Sequence, residues 1–120
     1  MHLMLKWKSK LGNIYDLGIL TKENEKYIFK INQNQLKEAI NDGCMGIGNF
    51  TLLNEIEESN VLFDFFKYRI VGVNSPKLPD LLKKYKLKEY DDMEILKITK
   101  AVSANDRYWV EEIPHFGAVL

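Results

Sequence analysis

The residues best suited to chemistry begin with a glycine-rich stretch, Gly43 to Gly48, which carries the single cysteine of the chain. Glycine-rich loops can bind phosphate, but a phosphate-binding loop needs a lysine and a hydroxyl directly after its last glycine. Here Asn49 and Phe50 follow. A dinucleotide-binding loop would need a preceding strand, whereas a helix is predicted before this stretch. We therefore interpret the stretch as a helix stop with glycines at positive φ.

Cys44 could serve as a nucleophile or a metal ligand only with suitable partners. A nucleophilic thiol needs a base, and the two histidines, His2 and His115, lie near the ends of the chain. They could meet if the first and last strands pair. One cysteine and two histidines would still lack the fourth ligand of a zinc site. The sequence therefore predicts no catalytic residue, no metal and no cofactor.

Two acidic clusters are the remaining candidates for acid–base chemistry. They are Glu55, Glu57 and Glu58, and Asp91 with Asp92. A catalytic pair of carboxylates usually has one member in apolar surroundings that raise its pKa. Both clusters lie in polar segments, so we expect solvated carboxylates and helix caps. We do not expect an enzyme.

A lysine-rich region is the candidate nucleic-acid face. Its members are Lys83, Lys84, Lys86, Lys88 and Lys97. A lysine-rich helix can follow a phosphate backbone, but binding of single strands also needs exposed aromatic rings. Helical spacing places Tyr85 in the core, together with its leucine neighbours. The region is thus compatible with a solvated face, which is the simpler interpretation, or with a nucleic-acid site.

Four apolar residues are candidates for contact with a partner protein, and they are Met45, Ile47, Phe50 and Trp109. The first three belong to the loop 45–50, where we expect them to reach the surface. Trp109 lies on the last predicted strand, on the face opposite Tyr108 and Val110. Either a helix covers this tryptophan or it is an exposed anchor, a residue type enriched at binding hot spots.

Composition predicts a single globular domain over residues 1–120. Lysine plus arginine equals aspartate plus glutamate, 17 of each, so no whole-molecule charge attracts nucleic acid or anionic membrane. A single cysteine excludes an internal disulfide and suits a reducing compartment. The apolar run before Lys6 is too short for a secretory signal, and no stretch approaches the roughly 18 apolar residues of a membrane span. We expect a cytoplasmic protein.

Strand-like alternation occurs in four segments, 3–8, 14–20, 26–31 and 107–113. The first three are joined by tight turns and predict an antiparallel meander with one buried face. In the second of them we expect Tyr15, Leu17 and Ile19 to share a face. A sheet of this kind has edges, and an exposed edge could pair with a second copy of the chain.

Helical periodicity occurs in four segments, 34–40, 61–71, 79–86 and 92–98. Asn34 is the expected cap of the first, Asp91 or Asp92 is the expected cap of the last, and Pro79 suits a first turn. Residues 49–60 are predicted to be loop, with at most one helical turn through Leu52, Leu53 and Ile56. The fold class is therefore α+β, a small antiparallel sheet with three to four short helices packed on it.

These pieces resemble the N-terminal subdomain of the HipA family of bacterial serine/threonine kinase toxins. Four features carry the resemblance: the hairpin Leu17–Leu20 with Tyr27–Phe29, the run Val61–Phe66, Ser75-Pro76 with the helix ending at Tyr85, and Met93–Leu96. The resemblance extends from about residue 3 to residue 113. It implies a small antiparallel sheet with helices packed on it.

The resemblance also implies a role. In HipA the subdomain precedes the kinase lobes, whereas in split systems a separate small protein, HipS, is similar to the missing part of the kinase HipT and restrains it. A stand-alone chain of this kind is expected to be an antitoxin that binds a HipA- or HipT-like kinase. A helix-turn-helix antitoxin similar to HipB is a further implied partner. No kinase motif is present, so no catalytic residue is carried over.

Two departures qualify the resemblance. The segment Arg69–Gly72 stands where the HipA helix usually runs into a Leu-Leu-Pro-acidic corner. The pattern Phe65-Phe66-x-x-Arg69-Ile70, with Asp106 before the last strand, is also similar to a module that precedes HIRAN domains in some bacterial proteins. HIRAN domains are associated with DNA ends, and the chain is too short to contain one before its last residue, Leu120.

Overall fold

The computed structural model describes residues 1–50 and 54–113. Within these residues the chain forms one antiparallel sheet and four short helices, which confirms the α+β class. The strands are β1 (His2–Lys8), β2 (Ile14–Glu23), β3 (Lys26–Ile31), β4 (Ile56–Ser59) and β5 (Tyr108–Glu112). Their order in the sheet is β4-β3-β2-β1-β5, so the first and last strands pair.

The helices are α1 (Gln33–Asn41), α2 (Asp64–Lys67), α3 (Leu78–Lys84) and α4 (Asp92–Thr99). Of the two predicted caps of α4, Asp91 is the one that caps it, since its side chain accepts from the backbone N–H of Glu94 at 3.2 Å. The cap predicted for α1 is wrong, because Asn32 accepts from the Gln35 N–H at 3.1 Å and Asn34 lies inside the helix. None of the described helices is long and apolar enough to cross a membrane.

The predicted loop over 49–60 is wrong, because β4 lies within it. This short edge strand alternates exposed and half-buried residues, and its one large apolar side chain, Ile56, is exposed. Backbone pairing with β3, with Phe29 opposite Glu57, holds it in place. The sequence of β4 has no alternating hydrophobic pattern from which a strand could be predicted. Residues Leu52 and Leu53 of the predicted helical turn lie outside the described residues.

The helix predicted over 61–71 is reduced to the four residues of α2. Phe63 has extended backbone angles and ends the helix on its N-terminal side. Leu62 and Phe66 are buried, and the Phe66 ring packs edge-on against Phe29 at 5.3 Å. The apolar run therefore fills an aromatic cluster rather than forming the stripe of a long helix, and tertiary packing overrides the helical pattern.

One residue of β2 interrupts its alternation. The register shifts between Leu5 and Lys6 of β1, which leaves Leu17 as the extra residue of a β-bulge. Leu17 is fully buried, whereas Ile19 pairs with Met4 on the opposite face of the sheet. The prediction that Ile19 shares the face of Leu17 is therefore wrong.

The core lies on one face of the sheet, where α1, α2 and α4 all bury side chains. Its largest fully buried side chains include Leu3, Leu5, Leu20, Phe29, Phe66, Leu36, Leu96 and Val110. The hydrophobic effect contributes about 1.5–3 kcal/mol for each such side chain. This single core determines where the loops between the elements emerge at the surface.

Gly18 supplies the first test of this packing. A Cβ at this position would lie 2.7 Å from the backbone oxygen of Lys30 and 2.8 Å from Cζ of Phe29. We expect Gly18→Ala to lower the free energy of unfolding by about 1–3 kcal/mol through overpacking. Gly72→Ala is the control, because nothing lies within 4 Å of its added methyl group. Urea unfolding with equal midpoints for the two variants would contradict this packing.

Candidate partner-binding site

The glycine-rich stretch ends α1, as the sequence predicts. Its three glycines have φ values of 104°, 90° and 52° at Gly43, Gly46 and Gly48. The backbone N–H of Gly43 donates to the Ile40 oxygen at 3.1 Å, and that of Cys44 donates to the Ala39 oxygen at 2.9 Å. These bonds satisfy the last carbonyls of the helix and fix the direction in which the loop leaves it.

The loop is attached to the body of the protein by inward-facing residues. The Tyr108 hydroxyl donates to the Gly46 oxygen, and Cys44 is buried with its Sγ atom 3.4 Å from the same hydroxyl. Burial, followed by the neighbouring Cys44, raises the pKa of Tyr108, so its hydroxyl stays protonated and remains a donor. Ile47 is fully buried. The expectation that Ile47 reaches the surface is therefore wrong.

Phe50 and Met45 differ from each other in the same loop. The Phe50 ring is half-buried and packs against Phe29 at 4.8 Å and Phe63 at 5.2 Å. Contacts within the aromatic cluster thus bury most of the Phe50 side chain. Met45, in contrast, is 95% exposed. Of the three predicted contact residues in this loop, only Met45 projects fully into solvent.

A groove of about 530 Å³ adjoins Met45. Its walls come from the β1–β2 turn, the end of α1 and the start of β5. We call it the tip groove and define it by Trp7, Leu11, Gly43, Met45, Arg107 and Tyr108. Leu11, at the turn, is 83% exposed. Two large apolar side chains therefore stand in solvent along one concave surface, which is typical of a site that contacts another protein.

Hydrogen bonds hold the walls of the tip groove together. The carboxylate of Asp42 accepts from Asn13 Nδ2 at 3.0 Å and from the Tyr15 hydroxyl at 2.8 Å, and these bonds lower the pKa of Asp42. They join the β1–β2 turn to the end of α1. Arg107 donates through Nε to the Lys8 oxygen at 2.6 Å, which joins β5 to the same turn. The groove is therefore preformed, which reduces the ordering cost of binding.

Sequence reasoning missed Leu11 as a candidate contact residue. It lies in the polar segment between β1 and β2, next to Gly12, whose φ is 94°. A large apolar residue at the tip of a tight turn has no core to enter. That placement is the signal that could have identified it.

Arg69 fixes the segment before β5 that contributes to the wall of the tip groove. Its guanidinium donates to both carboxylate oxygens of Asp106 at 2.7 Å, and to the backbone oxygens of Ala101 at 2.7 Å and Tyr108 at 3.2 Å. The group lies 5.3 Å from the Phe65 ring centre. The Arg69 side chain is only 8% exposed. The hydrogen bonds from Arg69 to Asp106 are the largest cause that lowers the pKa of Asp106.

Comparisons with protein-family models, with curated proteins and with solved structures gave no match for this chain. What the chain binds must therefore be inferred from its own surfaces. Besides the tip groove, two surfaces carry residues that the sequence singles out: the outer face of β5, and the region of α3 and the segment after it.

Trp109 lies on the face of β5 opposite Val110, as predicted, and does not line the tip groove. Its side chain is half-buried, and Nε1 donates to Glu111 Oε1 at 3.1 Å. Lys6 lies opposite it on β1 and pairs with Asp16 at 2.8 Å. Trp109 is therefore a half-buried aromatic residue with charged neighbours, Lys6 and Glu111, on the outer face of the sheet. The two alternatives drawn from the sequence, a covering helix and an exposed anchor for a partner, both stay predictions.

The lysine-rich region divides into two parts. The four lysines that lie close together in sequence are exposed, and none of them forms an ion pair within the described residues: Lys83, Lys84, Lys86 and Lys88. Lys97 on α4 is instead held by Glu94 at 3.1 Å, and this bond raises the pKa of Lys97. Tyr85 is half-buried, with the Lys84 ammonium 5.4 Å from its ring centre.

The acidic clusters have local roles. Glu57 accepts from Asn54 at 2.9 Å, and Glu58 pairs with Lys26 at 3.5 Å. Across the described ranges, 1–50 and 54–113, no group of His, Cys, Asp and Glu is arranged to hold a metal ion. His115, the partner that a Cys44 site would need, lies outside those ranges.

We expect Arg69→Met to lower the free energy of unfolding by about 1–3 kcal/mol, because it removes the hydrogen bonds of a largely buried guanidinium to Asp106 and to the Ala101 and Tyr108 oxygens. The exposed variant Lys88→Gln should change it by less than about 0.5 kcal/mol. Urea unfolding at neutral pH measures both. An Arg69→Met variant as stable as Lys88→Gln would show that the ion pair does not hold β5 in place.

The same pair predicts a pH dependence. The pKa of Asp106 is lowered in the folded state. Its contribution to the free energy of unfolding is therefore fully present above the unfolded pKa of about 3.9 and is lost as pH falls through the folded pKa. Between neutral pH and about pH 3 the wild type should therefore lose more stability than Asp106→Asn. Parallel losses in the two proteins, measured as urea midpoints, would contradict this.

Proposed function

We propose that this chain is a non-catalytic regulatory module, similar to HipS, that binds and restrains a HipA- or HipT-type serine/threonine kinase in a bacterial toxin–antitoxin system. The observation that carries the proposal is the preformed tip groove with Met45 and Leu11 standing in solvent. The sequence resemblance to the HipA N-terminal subdomain supplies the class of partner. The proposal places the complex in the cytoplasm.

The proposed mechanism is occupation of a surface on the kinase. In the fused proteins of the family, that surface is filled by the N-terminal subdomain of the same chain. The tip groove suits this role because burial of exposed apolar area is favourable by about 25 cal/mol per Å². Met45 adds adaptability, since its unbranched thioether can fill an irregular gap in a partner. Ile47 and Phe50 act indirectly by holding the loop.

The binding test uses the double variant Met45→Asp/Leu11→Asp and a purified HipT-type kinase. Because carboxylates would be desolvated at the contact, we expect the Kd to rise by at least about tenfold. Calorimetry at low and moderate salt measures it. The thermal midpoint should be unchanged, since both side chains are already exposed.

Val102→Asp is the matched control for this test, because Val102 is an exposed apolar residue, 62% accessible, that does not line the groove. Wild-type affinity in the double variant would contradict docking through the tip groove. Loss of binding in Trp109→Ala alone would place the contact on the outer face of the sheet instead.

A second candidate function is nucleic-acid binding. It is favoured by one observation: the four lysines of the α3 region are exposed and form no ion pair within the described residues. Replacement of Lys83, Lys84, Lys86 and Lys88 by Gln should then abolish binding to a short duplex. The control replaces four exposed lysines elsewhere, Lys30, Lys37, Lys67 and Lys100. Fluorescence anisotropy across a salt series measures both.

For wild type, log K should fall with log salt with a slope of about −0.9 for each phosphate contacted. Equal loss in the two quadruple variants would indicate only a general charge effect and would remove the lysine region as a site. A kinase complex that resists moderate salt, without any duplex binding, would favour the regulatory function.

A further inference from the structure

A second cavity, of about 280 Å³, lies where the N-terminus of α4 meets β3 and the segments flanking α2. We call it the Asp92 cavity and define it by Tyr27, Leu62, Lys67, Val73, Tyr90 and Asp92. It shares no residue with the tip groove. Binding at the Asp92 cavity is therefore independent of the proposed function.

The carboxylate of Asp92 is held by one oxygen and unsatisfied at the other. Its Oδ2 accepts from the Tyr27 hydroxyl at 2.5 Å. Its Oδ1 is buried and has no hydrogen-bond partner, the one side-chain atom of this kind among residues 1–50 and 54–113. A buried acceptor without a donor costs about 1–3 kcal/mol, and more when it is charged. Such an atom in a native fold calls for an explanation, and a ligand that donates to it is one.

The walls of the cavity are fixed. Burial, followed by the bond to Asp92, raises the pKa of Tyr27, so the phenol stays protonated and continues to occupy Oδ2. The Tyr90 hydroxyl donates to the Val71 oxygen at 3.0 Å, which holds that ring in place. Oδ1 is therefore the Asp92 oxygen that remains for an additional donor.

Part of the cavity lining is both apolar and exposed. Val61 and Val73 are 71% and 60% exposed, and both line the cavity. A ligand that matches these features has an aliphatic stem and a compact cationic end. A lysine side chain has both. The guanidinium of arginine is less suited, because its planar fork binds best to two carboxylate oxygens, and Tyr27 occupies one of them.

Lys67 of the chain itself lines the cavity, but its side chain is exposed and forms no ion pair with Asp92. We propose that the Asp92 cavity binds the ammonium end of a lysine side chain presented by a partner protein. The Asp92 Oδ1 atom would accept from the ammonium, while Val61 and Val73 contact the methylene stem.

The test is a titration of the full chain with Nα-acetyl-lysine methylamide, monitored by amide chemical shifts. We expect saturable shifts at millimolar probe concentration at Val61, Val73 and Asp92 to Glu94. The arginine probe should bind several-fold more weakly, and the Nζ-acetylated lysine probe should cause no saturable shift. Equal responses to the lysine probe and its acetylated form, or no response to either, would overturn the proposal.

Variants make the test specific. Asp92→Asn should abolish the saturable shifts, whereas Glu89→Gln, which neutralises an exposed carboxylate nearby in sequence, should retain them. Tyr27→Phe frees Oδ2 and should therefore reduce the disadvantage of the arginine probe; an unchanged preference would contradict the proposed geometry. A tenfold gain in lysine-probe affinity in Lys67→Met would show that Lys67 fills the cavity, and would overturn the assignment to a partner.

Discussion

The arrangement of the exposed loops depends on the hydrogen bonds made by the guanidinium of Arg69. It joins the aromatic segment of α2 to the connection before β5 through Asp106 and the backbone of Ala101 and Tyr108. A buried cation tolerates no loss of its partners. Because the start of β5 is fixed in this way, the Tyr108 hydroxyl is positioned to hold the Gly46 oxygen.

As a consequence, the glycine-rich loop that carries Met45 is held rigidly by the residues packed against it. From Arg69 through Tyr108 to the glycine-rich loop, each residue is fixed by contacts that do not involve a partner, and Met45 remains in solvent. A side chain presented in this way by a rigid loop binds at a lower cost in conformational entropy than one on a mobile segment. This is the physical basis of the proposed regulatory function.

Much of the fold can be predicted from the sequence, because alternation and capping are local properties. The meander, the closing strand and the Asp91 cap were all predictable. The failures are non-local. The bulge at Leu17 depends on the pairing of β1 with β2, and β4 depends on β3 rather than on its own composition. Ile47 is fully buried although it lies in a loop, and no spacing in the sequence indicates this.

The tip groove was predictable only in part. Met45 could be predicted as exposed, but the groove beside it needs three segments distant in sequence to meet, including the turn that carries Leu11.

Hydrogen–deuterium exchange on this chain, free and mixed with the proposed HipT-type kinase partner, tests docking through the tip groove most directly. We predict new protection of the backbone amides at 10–12 and 43–48, with little change at 83–88. Protection confined to 83–88, or no protection in a complex that demonstrably forms, would contradict docking through this groove.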